Sequence, residues 1–154
     1  MALKRLIIMR GIPGAGKTHY HETHYPGAVV GSADYLFQQS GAYVHNPAQL
    51  DDAHQACFRT VLEAVLREEP LIVVDNTHIR LVEIAPYHML GAARGYTVEI
   101  ITIHCDPQVA LQRQVHKVPE EKVRSMAYRL DKDGMYMPRW WKHLIVELTP
   151  EATC

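Results

Sequence analysis

Eight residues near the N-terminus, Gly11-Ile12-Pro13-Gly14-Ala15-Gly16-Lys17-Thr18, combine types and spacing suited to holding a polyphosphate. The glycines let successive backbone N–H groups turn inward around phosphate oxygens, and a helix opening behind them adds partial positive charge. Gly11, Pro13, Gly14, Ala15 and Gly16 form the cradle, Lys17 reaches toward the β- and γ-phosphates, and His19 adjoins them. Thr18 supplies a hydroxyl for Mg²⁺, an ion that keeps most of its waters and takes few protein ligands. This is the complete Walker A spacing. Two acids follow short apolar runs, Asp34 after Ala28–Gly31 and Asp75 after Leu71–Val74, and so stand at carboxyl ends of strands, where open α/β sheets bind ligands. Asp75 is read as the partner of Thr18 in holding the metal. Asp34 fits a helix cap or an acid that touches the group attacking the nucleotide, and its place after Walker A favours the second. Tyr35, Asn76 and Thr77 lie on the same loops and face the substrate, with His78 beside them. Arg113 and Lys117 flank a break between helices and form a lid around residues 113–124, although either of them, or Arg124, fits a solvated helix charge when taken alone.

The flanking pattern supplies the elements that must position these groups. Leu3–Met9 is an apolar strand running into the loop, and Lys17–Tyr25 opens a helix behind it. Asn46 and Pro47 cap a helix reaching Glu69, with Leu50, Ala53, Cys57, Val61, Ala64 and Val65 as its buried stripe. The run Leu71–Val74 suits a central parallel strand buried on both faces. A helix spans about Leu81–Arg94 and stops at Gly95, and Tyr96–His104 forms another strand. Asp106-Pro107 caps a helix to about Gln114, Pro119 opens one to about Leu130, Asp131–Arg139 reads as a turn, and Leu144–Leu148 as a last strand. Trp140 and Trp141 are read as packing anchors. His19, His21 and His24 complete no metal set and are read as surface residues.

The 154 residues fit one domain, 1–154, and 47% hydrophobic with 21% charged residues excludes a disordered chain. A net charge of −1 offers no global attraction for a long nucleic acid, so any such contact needs a local basic patch. Cys57, Cys105 and Cys154 are too few and too scattered for a disulfide framework, which points to a reducing cytoplasm. No run approaches the length of a membrane span.

Taken in order, Gly-x-Pro-Gly-x-Gly-Lys-Thr, Ser32-Ala33-Asp34, Asp75-Asn76-Thr77 and the arginine-bearing lid resemble the 5′-hydroxyl kinase domain of bacteriophage polynucleotide kinase. They resemble the small P-loop kinase-like proteins related to that domain more closely still. The resemblance covers Leu3 to about Leu130. It implies a three-layer α/β sandwich with a parallel five-stranded sheet in the order 2-3-1-4-5, ATP and Mg²⁺ as cofactors, and phosphoryl transfer to a hydroxyl. In that family Lys17 and Thr18 match the phosphate and Mg²⁺ residues, Asp34 the general base, and Arg113 a lid arginine. Two departures stand out: Tyr35 replaces a second acid, and Leu36-Phe37-Gln38 contain no arginine for an acceptor 3′-phosphate. The implied acceptor is the 5′-hydroxyl of a nucleic acid, with a small metabolite, a hydroxylated base in DNA, or a nucleotide-binding module of little catalysis as alternatives. Oligomeric state is left open.

Overall fold

A computed structural model describes residues 2–35, 49–115 and 117–148. Its elements are β1 (Arg5–Arg10), α1 (Lys17–His24), β2 (Val29–Gly31), α2 (Leu50–Leu66), β3 (Leu71–Asp75), α3 (Leu81–Ala93), β4 (Thr97–His104), α4 (Pro107–Arg113), α5 (Glu120–Gly134) and β5 (Lys142–Glu147). The five strands form one all-parallel sheet in the order β2-β3-β1-β4-β5, as expected from the sequence. Asn46-Pro47, the loop around them, residues 36–38 and the Tyr35–Gln39 helix beyond Tyr35 lie outside the described residues, as do His116 and Cys154.

The central strands are apolar on both faces because both are covered. Leu6 and Ile8 of β1, with Ile72 and Val74 of β3, pack against Cys57, Val61 and Val65 of α2 and Ile84 and Tyr87 of α3. The alternate residues Ile7, Met9 and Val73 pack on the other face with Ala110 of α4 and Val123 and Leu130 of α5. The same alternation that defines a strand therefore builds two cores, and helices on both sides bury them. Parallel register sets Met9 opposite Asp75, so the Walker A loop and the acid leave neighbouring strands at the same sheet edge.

Helix ends follow local chemistry. The Asp106 carboxylate accepts the Gln108 N–H at 2.7 Å to start α4, and Gly95, at φ 78°, takes the left-handed turn after α3. Two expectations need correction. Asp131–Gly134 continue α5 where a turn was read, because Leu130 is buried in the core and keeps the helix docked there. Trp140 is 81% exposed and belongs to no core cluster among the described residues, whereas Trp141 packs on the α2–α3 side and stacks on His88 at 4.5 Å.

Candidate active site

The Walker A loop is shaped by what it touches. Gly14 and Gly16 take φ of 81° and 100°, and a Cβ on Gly14 would overlap the Ala110 carbonyl of α4. This contact is what brings α4 against the loop, and Arg113, one turn beyond Ala110, lines the cleft above it. The cleft, about 820 Å³, is bounded by Pro13, Gly14, Gly16, Lys17, Thr18 and His19 from the loop and α1. Asp34, Asp75, Asn76 and Thr77 complete it from the strand ends. Gly11 and Ala15 stand behind this lining as buried backbone supports.

Lys17 donates to the carbonyls of Gly11 and Ile12 at 3.0 and 3.1 Å. Enclosure pushes its ammonium below the ordinary lysine value, opposed by Asp75, Asp34 and Cys105. Thr18 Oγ1 donates to Asp75 Oδ2 at 2.8 Å, the pairing expected from Walker A and the strand-terminal acid. The same Oδ2 takes His21 Nε2 at 2.9 Å. His21 is 3% exposed, which corrects the reading of a surface histidine. Three residues beyond Thr18 on α1, it shares that residue's face, and this spacing was the available signal. Burial tends to raise the Asp75 carboxyl, but His21, Lys17 and Thr18 together hold it below the ordinary carboxylate value.

On the opposite wall the Asn76 amide is already committed. Its Oδ1 accepts the Ala33 N–H at 2.9 Å and its Nδ2 donates to Cys57 Sγ at 3.4 Å. Asn76 therefore fixes the loop that presents Asp34, whose own N–H donates to Ser32 Oγ at 3.2 Å. Tyr35 is 43% exposed and lies outside the cleft lining.

The cations divide differently from the sequence reading. Arg113 lines the cleft with its Nη1 buried and unpartnered among the described residues. Lys117 is exposed, at φ 50°, and is not part of the lining. Lys122 and Arg129 of α5, with Arg80, line the cleft in its place. Arg124 bonds Glu120 at 2.9 Å and Gln108 at 2.8 Å, which makes it a helix-surface charge. Gln114 staples the connection after Arg113 by accepting from Val118 N and donating to Val118 O, both at 2.8 Å.

One buried arginine was not foreseen. Arg10, 1% exposed, donates to the carbonyls of His78, Ile79 and Leu130 at 3.0, 3.0 and 2.8 Å. Burial lowers its pKa while Asp133, Asp131 and Glu83 act to raise it. Beside it His78 donates through Nδ1 to the Met9 carbonyl at 2.6 Å, and burial pushes its pKa down to about 4. Because the folded value lies below the unfolded 6.5, the unfolded chain takes up a proton first as pH falls. Stability is whole above about pH 6.5 and declines toward pH 4, by up to about 3 kcal/mol from this group. Denaturant titrations at pH 7 and pH 4.5 check this, and a His78→Asn variant is expected to have the flatter profile.

No helix among the described residues is long and apolar enough to cross a membrane. A family model described as AAA domain matches residues 6–133. NEDD4-binding protein 2 of Homo sapiens is 29% identical over 128 residues, covering 79% of this chain and 7% of that protein. A chain in the structure of the Pnkp1/Rnl/Hen1 RNA repair complex superposes with a TM-score of 0.74 at 12% identity, over 90% of this chain and 47% of its own. Shikimate kinase from Acinetobacter baumannii in complex with shikimate gives 0.58 at 20% identity, over 98% and 87%. The chain thus spans a small part of the human relative and about half of the repair-complex chain. At these identities the likeness to the two solved structures is one of fold. The family match takes in the Walker A loop, both strand-terminal acids and Arg113, and the chain belongs to the AAA domain family, built on a P-loop kinase-like fold.

Proposed function

We propose that this protein transfers the γ-phosphoryl group of ATP to a hydroxyl acceptor, with the 5′-hydroxyl of a nucleic acid as the leading acceptor. The observation that carries the reading is Arg113, which lines a cleft with Lys17 and Asp34 and whose buried Nη1 has no partner among the described residues. A guanidinium N–H left without a partner is costly, and a phosphate oxygen is the acceptor its planar fork suits best.

The roles then follow from position. Backbone N–H groups of the loop, those of Gly14 and Gly16 among them, cradle the phosphates, with His19 beside them. Lys17 exchanges two carbonyl partners for phosphate oxygens. Thr18 and Asp75 fit Mg²⁺, since one hydroxyl and one carboxylate are the few protein ligands that ion takes. Bound there, Mg²⁺ supplies charge neutralisation on the phosphates. Asp34 accepts the proton of the acceptor hydroxyl as its oxygen bonds to phosphorus, and the bond to the ADP oxygen breaks. Arg113 stabilises the charge that develops. Asn76 and Thr77 stand on the acceptor side, where Asn76 acts by holding the Asp34 loop. The free thiols of Cys57 and Cys105 are consistent with a reducing cytoplasm.

The deciding experiment supplies Mg·ATP with a panel of acceptors: 5′-hydroxyl DNA and RNA oligonucleotides, DNA containing a hydroxylated base, and small hydroxy acids and sugars. Acceptor-dependent ADP release with a phosphorylated product is expected, greatest for the 5′-hydroxyl ends. ATP affinity without any acceptor-dependent product would leave a nucleotide-binding module and overturn the reading. Product confined to the small molecules or the modified base would move the acceptor to that class.

A further inference from the structure

Beside the phosphate cleft lies a second cavity of about 630 Å³, between α2 and α3, and the two meet at His54, Asn76, Thr77 and Glu83. Its character is different. Phe58, Leu62, Val82, Pro86 and Tyr87 line it, and the rings of Phe58 and Tyr87 stand 5.4 Å apart at 52°. The Tyr87 hydroxyl donates to Cys57 Sγ at 3.3 Å, so that its polar end is satisfied within the wall. A cavity of this size, with this apolar wall facing polar residues that include Gln55, Arg59 and Glu83, suits a small molecule that has both an apolar body and polar edges.

His78 also lines this cavity. Since Nδ1 gives its proton to the Met9 carbonyl, Nε2 on the far edge of the ring carries a lone pair. Nε2 is buried, in a residue 3% exposed, and has no partner among the described residues. The backbone is held at φ 44°, a left-handed conformation uncommon outside glycine, by Arg10 donating to the His78 carbonyl. Such strain, retained next to a cleft, is typical of a functional position. A buried acceptor among aromatic and aliphatic walls selects its ligand. An aliphatic group fills the space but leaves Nε2 unsatisfied, and a carboxylate or phosphate brings lone pairs against a lone pair. A flat ring bearing an N–H satisfies both the walls and the nitrogen.

We propose that this cavity binds the ring of the acceptor, a heteroaromatic ring of nucleobase type whose N–H donates to Nε2 of His78, leaving the sugar hydroxyl at the junction with the phosphate cleft. The proposal rests on the phosphotransferase reading for its purpose, although ring binding can be measured without turnover. The intact chain, without ATP, is titrated calorimetrically with nucleoside 3′-monophosphates, with single-stranded dinucleotides bearing a free 5′-hydroxyl, and with deoxyribose 3-phosphate lacking a base. The ring-bearing probes are expected to bind at least about tenfold tighter than the baseless one. The mononucleotide and dinucleotide arms separate a free nucleotide from a nucleic-acid end as the ring's source.

Two variants locate the binding. His78→Asn keeps an amide donor for Met9 and tolerates the left-handed backbone but loses Nε2, so ring affinity should fall about five- to tenfold. Val82→Trp, at a position 62% exposed on the cavity lining, fills the space without burdening the core and should remove ring binding. ATP affinity should hold in both. Equal binding of the baseless probe, or ring binding unchanged in both variants, would overturn the pocket. If the ring binds as stated but no acceptor is phosphorylated, the phosphotransferase reading falls alone. If the baseless acceptor is phosphorylated as fast as the nucleotides, the pocket falls alone.

Discussion

Arg113→Ala is expected to lower acceptor phosphorylation on the order of 10³-fold or more, with ATP affinity and melting temperature little changed. The expectation comes from where the side chain sits. Arg113 closes α4, which is seated on the Walker A loop through the Gly14–Ala110 contact; it lines the cleft, and its buried Nη1 has no partner among the described residues. In the proposed reading this guanidinium meets its partner only when phosphate is bound, so it contributes little to the resting protein. Its loss should therefore appear in the rate of transfer. Arg124→Ala is the control, since that side chain pairs with Glu120 and Gln108 on the helix surface and exposed pairs contribute little. Single-turnover rates on the best acceptor decide the matter. An Arg113→Ala rate equal to wild type would make this arginine a helix terminus only.

Asp34→Asn is expected to cost about 10²–10⁴-fold in acceptor phosphorylation, the usual range for a positioned general base. Asparagine keeps the shape and starts a helical turn about as well as aspartate, so the loss cannot be assigned to folding. The Ser32 bond to the Asp34 N–H and the Asn76 bond to Ala33 are both made by groups the substitution leaves in place. Nucleotide affinity, measured by equilibrium titration with and without Mg²⁺, should hardly move. A collapse of ATP affinity would put Asp34 on the phosphate side and make Asp75 the next candidate for the base. An unchanged transfer rate would make it a cap.

The parts of this molecule legible in its sequence are those whose information is local. The Walker A loop, the apolar runs closed by Asp34 and Asp75, and the α2 stripe each declare their conformation within a few residues, while the strand order observed is the one the family resemblance implied. What was not legible depends on partners distant in the chain. Arg10 ends an apolar strand and looks like an exposed terminus, yet its burial is made possible by carbonyls 68, 69 and 120 residues away. His78 could be placed on the cleft loop, but its unpaired nitrogen emerges only when Met9 takes the other one. On α5, Lys122, Ser125, Met126 and Arg129 recur at helical spacing, so their common face could be read. Which way that face turns is settled by the burial of Val123 and Leu130, and hence by the core. Lys117 illustrates the converse, for its nearness to Arg113 in sequence does not bring it into the cleft.

The Arg10 guanidinium has a mechanical meaning as well. It grips α5 at Leu130, near one end of that helix, and the loop after β3 at His78 and Ile79. The other end of α5 is held as well, by Val123 in the core and by Arg124 donating to Gln108 of α4 at 2.8 Å. Held at both ends, α5 presents Lys122, Ser125, Met126 and Arg129 to the cleft as one fixed face. Because the same guanidinium holds the carbonyls of His78 and Ile79, one buried side chain ties the wall of the neighbouring cavity to the helix that lines the cleft.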